Sequence, residues 1–325
     1  MNLRDARPVE IDQVLAHTHA LWSDGLALPA YREYIATLMG SEWARQDGGR
    51  YRFLVLLEDG EILSGLKLYR FSARLDGEAI SAGGVGAVFT PLSHRGRGHA
   101  AAMLSMAHQM MAERGDSLSL LFSEIGATYY ERHGYSRLPA HHVRIRIPDE
   151  ARPAPGVRRM KKPDLDLLIR IREREDAGAS FALVRDRPYW SFLLARVSMP
   201  TLWLGADAWE SRIMVAEGAG YLWGLFGGAH DGAAARILEF GESAPGTALP
   251  ALLDDFFAEC RRRGVAEVEA WLPAALEARD PRLAALLTRV DPPPVVPMWR
   301  PLDDEAGRDM ELHRTAVAFL LTDLY

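Results

Sequence analysis

Residues 83–100 read GGVGAVFTPLSHRGRGHA, and residues 99–115 continue as HAAAMLSMAHQMMAERG. The first part is a strand of small and β-branched residues. The second is a helix rich in alanine and methionine, stopped by Gly115. Between them lies a loop carrying Arg95, Gly96, Arg97 and Gly98, then His99, Ala100 and Ala101. A junction of strand, glycine loop and helix presents free backbone N–H groups where the helix dipole is positive. An anion gains about 0.3–1 kcal/mol there. Arg95 and Arg97 add charge, and Gly98 and Ala100 let a ligand approach the backbone closely. The expected guest is a phosphate or pyrophosphate. The spacing is not GxxxxGK[ST], which excludes a Walker A loop. It is not GxGxxG either, so the dinucleotide fingerprint is missing.

Working outward, the N-terminal half reads as mixed α and β. Helices are expected over 10–22 and after Pro29, then strands over 51–58, 62–75 and 79–90 with turns at Asp59-Gly60 and Asp76-Gly77. Strand 117–123, a short helix over 126–133 and strand 135–147 follow the long helix. Residues 148–164, PDEARPAPGVRRMKKPD, hold four prolines and a basic cluster, and read as a solvated linker. The C-terminal half repeats the order. Strands are expected over 201–206, 211–218, 220–228 and 235–242, then helix 248–264, strand 265–273, helix 281–290, and strands 295–302 and 315–325. The expectation is two copies of one α+β fold, residues 1–150 and 151–325.

The motif Arg95-x-x-Gly98-x-Ala100 resembles the R/Q-x-x-G-x-G/A signature of the GNAT N-acetyltransferases, which holds the pyrophosphate of acetyl-CoA. Here Val88, Phe89, Thr90 and Pro91 precede it and a long helix follows. The later TYYERHGY, with Tyr130, Gly134 and Tyr135, looks like the family's FYxxxGF/Y element. The stretch 83–100 and Ser123-Glu124 before the tyrosine helix are most similar to the enhanced-intracellular-survival-type acetyltransferases and lysine N-acetyltransferase-like tandem relatives. That resemblance implies a tandem GNAT (acyl-CoA N-acyltransferase) fold. Each lobe would have a central, mostly antiparallel twisted sheet flanked by helices. Residues 1–150 would be catalytic. Residues 151–325 would be a second GNAT-like domain without the signature, because the matching junction reads GESAPGTAL (241–249), with acidic Glu242 and no arginine.

The resemblance implies an N-acetyltransferase using acetyl-CoA as co-substrate and a primary amine of a small molecule or a lysine as acceptor. Main chain near Val88, Phe89 and Thr90 would hold the pantetheine arm and thioester. Arg95 to Ala101 would take the pyrophosphate, with Ser123 also on the cofactor side. Tyr130 stands at the family's general-acid position. Many members carry a glutamate on the strand before the signature as base, but residues 79–90 offer none. In the tandem subgroup the C-terminal carboxylate can serve, here that of Tyr325, with Glu124 and Asp323 as alternatives. Trp22, Asp24, Tyr31 and Trp43, with Phe89 opposite and Glu124 nearby, are the candidates for the amine pocket. The competing expectation is a GNAT-fold protein that binds an acyl-CoA as a sensor or scaffold without turnover.

Composition narrows the rest. Of 325 residues, 48% are hydrophobic and 25% charged, enough for a sizeable core. The single cysteine, Cys260, forms no internal disulfide. A net charge of -6 argues against nucleic acid as partner. No apolar run suggests a membrane helix, and the charged N-terminus is unlike a signal peptide, so a cytosolic protein is expected. His94, His99, His141 and His142 lack metal-ligand spacing, so no metal is expected. Exposed strand edges leave homo-oligomer formation open.

Overall fold

The computed structural model describes residues 1–139, 142–204, 209–227, 234–271, 276–302 and 317–318. In chain order the first elements are β1 (Asn2–Asp5), α1 (Pro8–Trp22), α2 (Leu28–Gly40), α3 (Glu42–Arg45), β2 (Tyr51–Glu58), β3 (Glu61–Leu75), β4 (Glu78–Phe89) and α4 (His99–Glu113). Then come β5 (Leu118–Ser123), α5 (Thr128–Glu131), β6 (Ser136–Arg137), β7 (His142–Arg146), β8 (Val157–Arg159), α6 (Leu165–Asp176), β9 (Phe181–Leu183) and α7 (Arg187–Leu204). The last are β10 (Glu210–Ala216), β11 (Gly220–Phe226), β12 (Ala235–Glu242), α8 (Leu249–Arg262), β13 (Glu267–Trp271), α9 (Leu276–Arg279), β14 (Leu287–Arg289), β15 (Val296–Pro301) and β16 (Val317–Ala318).

Two compact units result, both discontinuous in sequence. Among the described residues, one comprises 1–139, 180–184, 295–302 and 317; the other 142–179, 185–204, 209–227, 234–271, 276–294 and 318. The first sheet runs β1-β2-β3-β4-β5-β15-β6, with β9 also paired to β3 and β16 to β9; the second runs β8-β10-β11-β12-β13-β7-β14, and the seven-strand paths correspond. Slot for slot these are the same sheet. In each, the fourth and fifth strands are the parallel pair, joined by a long helix (α4 or α8), and the neighbouring ladders are antiparallel. Each also has a bulge between its third and fourth strands. The sixth slots are filled crosswise: β15, late in the sequence, completes the first sheet, and β7, from before residue 150, completes the second.

That exchange accounts for the main differences from the linear expectation. The stretch 135–147 is not one strand: β6 pairs with β15, whereas β7 pairs with β13 and β14. The stretch 295–302 is a strand, but of the first sheet, antiparallel to β5 from Val296↔Ser123 to Pro301↔Leu118. The expected division at 150/151 therefore differs from the compact units at β7, β9 and β15. Residues 201–204 continue α7 through Pro200 instead of forming a strand, and Leu202 there is 76% exposed. Residues 281–290 divide into a short 3-10 turn and β14. The proline-rich linker is not wholly solvated. Val157–Arg159 pair with β10, and Arg158 forms an ion pair with Asp164 at 2.6 Å.

In the first unit α4 buries Met103, Leu104, Ala107 and Met111 against Leu66, Leu68, Val85 and Leu121 of β3, β4 and β5. The apolar positions recur at helical spacing, and the facing strands supply alternate residues, as the two periods require. In the second unit α8 buries Leu252, Leu253, Phe256 and Cys260 in the corresponding place. Gly115 and Gly264 follow the two helices at φ +82° and +75°, the left-handed stop expected of them.

Candidate active site

β4 and β5 run parallel from Ala82↔Leu118 to Val85↔Leu121. Beyond Val85, β4 continues to Phe89 without a partner on β5. The cause is a bulge. Gly65 pairs with Phe89 and Lys67 with Gly86, so Ala87 and Val88 together oppose Leu66. Ala87 takes φ +47°, a conformation that costs an alanine on the order of 1 kcal/mol. The extra residue turns the strand end away from β5 and opens a cleft. Ser64 holds the diverted end in place: its buried hydroxyl donates to the Phe89 carbonyl at 2.6 Å and lies 3.2 Å from Thr90 Oγ1. Among the described residues Val88 has no partner on either neighbouring strand.

After Pro91 the chain makes one 3-10 turn (Leu92–His94) and reaches α4 through Gly96 and Gly98, at φ +77° and +81°. A Cβ on Gly98 would meet nothing within 4 Å, so the glycine is required by its backbone angle and not by crowding. Gly98 caps α4 without any side-chain acceptor. The Ala102 N–H closes the first turn onto the Gly98 carbonyl, which leaves the amides of His99, Ala100 and Ala101 unused by the helix. Arg97 is exposed and makes no hydrogen bond or ion pair among the described residues. Arg95 instead donates to the Thr90 carbonyl at 3.2 Å. His94 Nε2 lies 2.9 Å from Glu61 Oε1 and ties the loop to the β2–β3 hairpin.

On the other side of the cleft β5 ends at Ser123, whose hydroxyl donates to the Gly126 carbonyl at 2.6 Å. The turn leads into α5, which carries Tyr130. The Tyr130 ring meets Tyr129 and Tyr135 edge-on, with centroids 5.1 and 5.9 Å away. Its hydroxyl has no hydrogen-bond partner among the described residues. Burial, with Tyr129 and Glu124 nearby, pushes the phenol up to about 12, so it stays protonated across the physiological range.

An unpaired strand end, a bare amide cradle and a tyrosine across the cleft agree with the sequence comparison. Residues 2–138 match the family described as "Acetyltransferase (GNAT) domain". Residues 2–138 are a GNAT domain. The fold likeness extends to almost the whole chain. A probable N-acyltransferase from Enterococcus faecalis superposes with a TM-score of 0.69 at 16% identity, covering 94% of this chain and 73% of its own. A GCN5-related N-acetyltransferase from Anabaena variabilis gives 0.67 at 14%, covering 93% and 73%. Eis1 from Mycobacterium abscessus gives 0.60 at 17%, covering 94% and 74%. At these identities the likeness is one of fold. No curated protein matches the sequence.

The GNAT domain brings Val88, Phe89, Thr90 and the 95–101 loop together at one strand end. Phe89 is buried with its ring over Gly65, where an added Cβ would come within 2.3 Å of it. Its carbonyl is taken by Ser64, so Val88 is the residue with open main chain. Ser123 is buried at the end of β5, with its hydroxyl on the Gly126 carbonyl. Tyr31 and Trp43 are 0% and 1% exposed: Tyr31 packs beside His19, and Trp43 stacks on Phe71 at 5.8 Å. They are core residues. Trp22 is half-buried, and Asp24 sits at φ +50° in the exposed α1–α2 turn. Glu124 is exposed near Tyr130. Tyr325 and Asp323 lie outside the described residues. Among the described residues no group of His, Cys, Asp and Glu could hold a metal, and no helix is long and apolar enough to cross a membrane.

Sequence reasoning missed the bulge at Ala87, the Ser64 anchor, and a buried chain of hydrogen bonds beneath Tyr130. Arg300 on β15 lies 3.0 Å from His108 Nδ1, His108 Nε2 lies 2.8 Å from the Tyr135 hydroxyl, and that hydroxyl lies 2.6 Å from Ser119 Oγ. Arginine can only donate, so Nδ1 accepts and Nε2 carries the proton toward Tyr135. Burial, with Arg300 and His133 adding to it, pushes His108 down to about 4. Above the ordinary histidine pKa both folded and unfolded chains hold this ring neutral. Between about 6.5 and 4 only the unfolded chain takes up the proton, so stability falls as pH falls through that window. The expected loss from this ring is on the order of 3 kcal/mol. Denaturant unfolding at pH 7 and pH 4.5 should show a steeper drop for the parent than for His108→Gln. Equal slopes would mean that the ring protonates in place.

The second unit answers the question raised by Glu242. Its carboxylate is buried at the end of β12 and accepts the amides of Gly246, Ala248 and Leu249 at 2.9, 2.8 and 2.7 Å. Arg279 reaches it at 3.4 Å. The place where α4 offers bare amides is therefore filled at α8 by a carboxylate of the chain itself.

Proposed function

We propose that the GNAT domain transfers an acetyl group from acetyl-CoA to a primary amine of a small molecule or a lysine, by direct attack in a ternary complex. The observation that carries this reading is the uncapped start of α4 beside the unpaired end of β4. The amides of the 96–101 segment and the free Arg97 suit the two charges of a diphosphate. The open main chain at Val88 suits the pantetheine arm and the thioester carbonyl. An N–H at that position would stabilise the oxyanion as attack proceeds. Holding both reactants at one strand end lowers the barrier through orientation. Tyr130, kept protonated by its surroundings, hands its proton to the leaving thiolate. The second unit, its cradle filled by Glu242, contributes no second active site. The setting we propose is cytosolic, with no metal required.

The test is thiol release from acetyl-CoA with a panel of aminoglycoside, polyamine, free lysine and lysyl-peptide acceptors. Turnover on at least one amine is expected. Tyr130→Phe should lower kcat by about 10²–10³-fold while leaving the acetyl-CoA Kd unchanged. Tight acetyl-CoA binding with no turnover on any amine would instead make the protein an acyl-CoA sensor.

A further inference from the structure

The acceptor reaches an acetyltransferase as an ammonium ion, and one proton must leave before the nitrogen can attack. Residues 79–89 of β4 carry no carboxylate. The same strand end, however, has a titratable neighbour. His17, on α1, stacks its imidazole on Phe89 with ring centroids 6.3 Å apart and planes 24° from parallel. Phe89 is the residue after Val88. His17 is exposed and makes no hydrogen bond or ion pair among the described residues, so its ring nitrogens are open.

The face matters as much as the distance. Leu66 and Leu68 of β3 and Val85 of β4 point to α4. Gly65 lies on the alternate face of β3, and its Cβ direction points at the Phe89 ring. Phe89 and His17 therefore stand on the face opposite α4. The cofactor's diphosphate belongs to the start of α4, which leaves the opposite face for the nucleophile.

We infer that His17 is the base that takes the acceptor's proton, a reading that rests on the proposed acetyl transfer. The imidazole removes one proton from the ammonium and passes it to water. The freed nitrogen pair attacks the thioester carbon, the C–N bond forms, and the C–S bond breaks with its electron pair going to sulfur. Tyr130 protonates that sulfur and regains a proton from the nitrogen as the amide forms. The sum is one amide, one thiol and one proton released.

The experiment compares the parent, His17→Ala and His17→Gln with an amine the parent uses. Thiol release is measured at saturating acetyl-CoA, acetyl-CoA affinity by calorimetry, and folding by thermal melting. Both variants should lose about 10²-fold in kcat with unchanged acetyl-CoA Kd and melting temperature. Added imidazole should restore at least about tenfold of the alanine variant's rate, because the exposed position left by the ring is open to a free base. A kcat within twofold of the parent overturns the assignment, as does a loss that imidazole does not touch. A chain lacking Tyr325 that loses activity while His17→Ala keeps it would put the base on the terminal carboxylate instead. Failure of the parent itself to release thiol with any amine sinks the acetyl-transfer reading, and is seen before any variant is made.

Discussion

Gly98→Glu is expected to weaken acetyl-CoA binding at least about a hundredfold. Two effects combine. Gly98 sits at φ +81°, where any side chain is strained by about 1 kcal/mol. The larger effect is electrostatic. A carboxylate at the uncapped start of α4 would compete for the amides that the diphosphate needs, and would repel its charge. The second unit already shows such an arrangement, with Glu242 satisfying three amides at the start of α8. Titration calorimetry with acetyl-CoA measures the effect, and thermal melting checks that the fold survives. An affinity within threefold of the parent would mean that the cofactor does not use this cradle. Gly98→Ala separates the terms: it carries the strain without the charge, and should lose about tenfold or less.

The second large effect concerns stability. Glu242→Ala should cost about 3–5 kcal/mol, in the range seen when one partner of a buried ionic group is removed. Three amides at the start of α8 would lose their acceptor, and Arg279 would lose part of its counter-charge, although Glu175 still holds it at 2.6 Å. For a unit of this size that corresponds to a fall in melting temperature on the order of 10 °C. Glu242→Gln keeps an acceptor oxygen without the charge, and should lose less than half as much. Calorimetric unfolding of the two variants decides it. A loss under about 1 kcal/mol for the alanine variant would mean that water replaces the carboxylate at no cost. Acetyl-transfer activity at low temperature should be retained, because the cradle proposed for acetyl-CoA is the one at α4.

Local features of the candidate site were legible in the sequence because each is local in origin. Gly98 announces a left-handed cap and Gly115 a stop. The alanine- and methionine-rich run between them can only be a helix with one buried face. Tyr130 stands at a fixed offset after a buried strand. Other features had no such signal. Alanine is a poor predictor of positive φ, so the bulge at Ala87 left no mark. Ser64 in ILSGL reads as a small residue in an apolar strand until its hydroxyl is seen on the Phe89 carbonyl. Tyr31 and Trp43 sit among the right helices for a binding pocket, yet packing claims both. His17 carries no pattern at all, and only its stacking on Phe89 brings it to the strand end.

The sequence by itself determined most of the α and β elements of the first half, the strand–loop–helix junction whose first helical amides stay bare, and the loss of that junction's arginines in the second half. These follow from side-chain period and backbone preference, which act over a few residues. Tertiary structure alone decided which strands complete which sheet. β7 and β15 each fill a slot in the unit that the other's half of the chain begins, because a strand's partner is chosen by long-range complementarity of edges and cores, not by its own composition. The same holds for Glu242: a glutamate at the end of a strand could point anywhere, and only the packed fold turns it onto the amides where, in the first unit, a ligand's charge would sit.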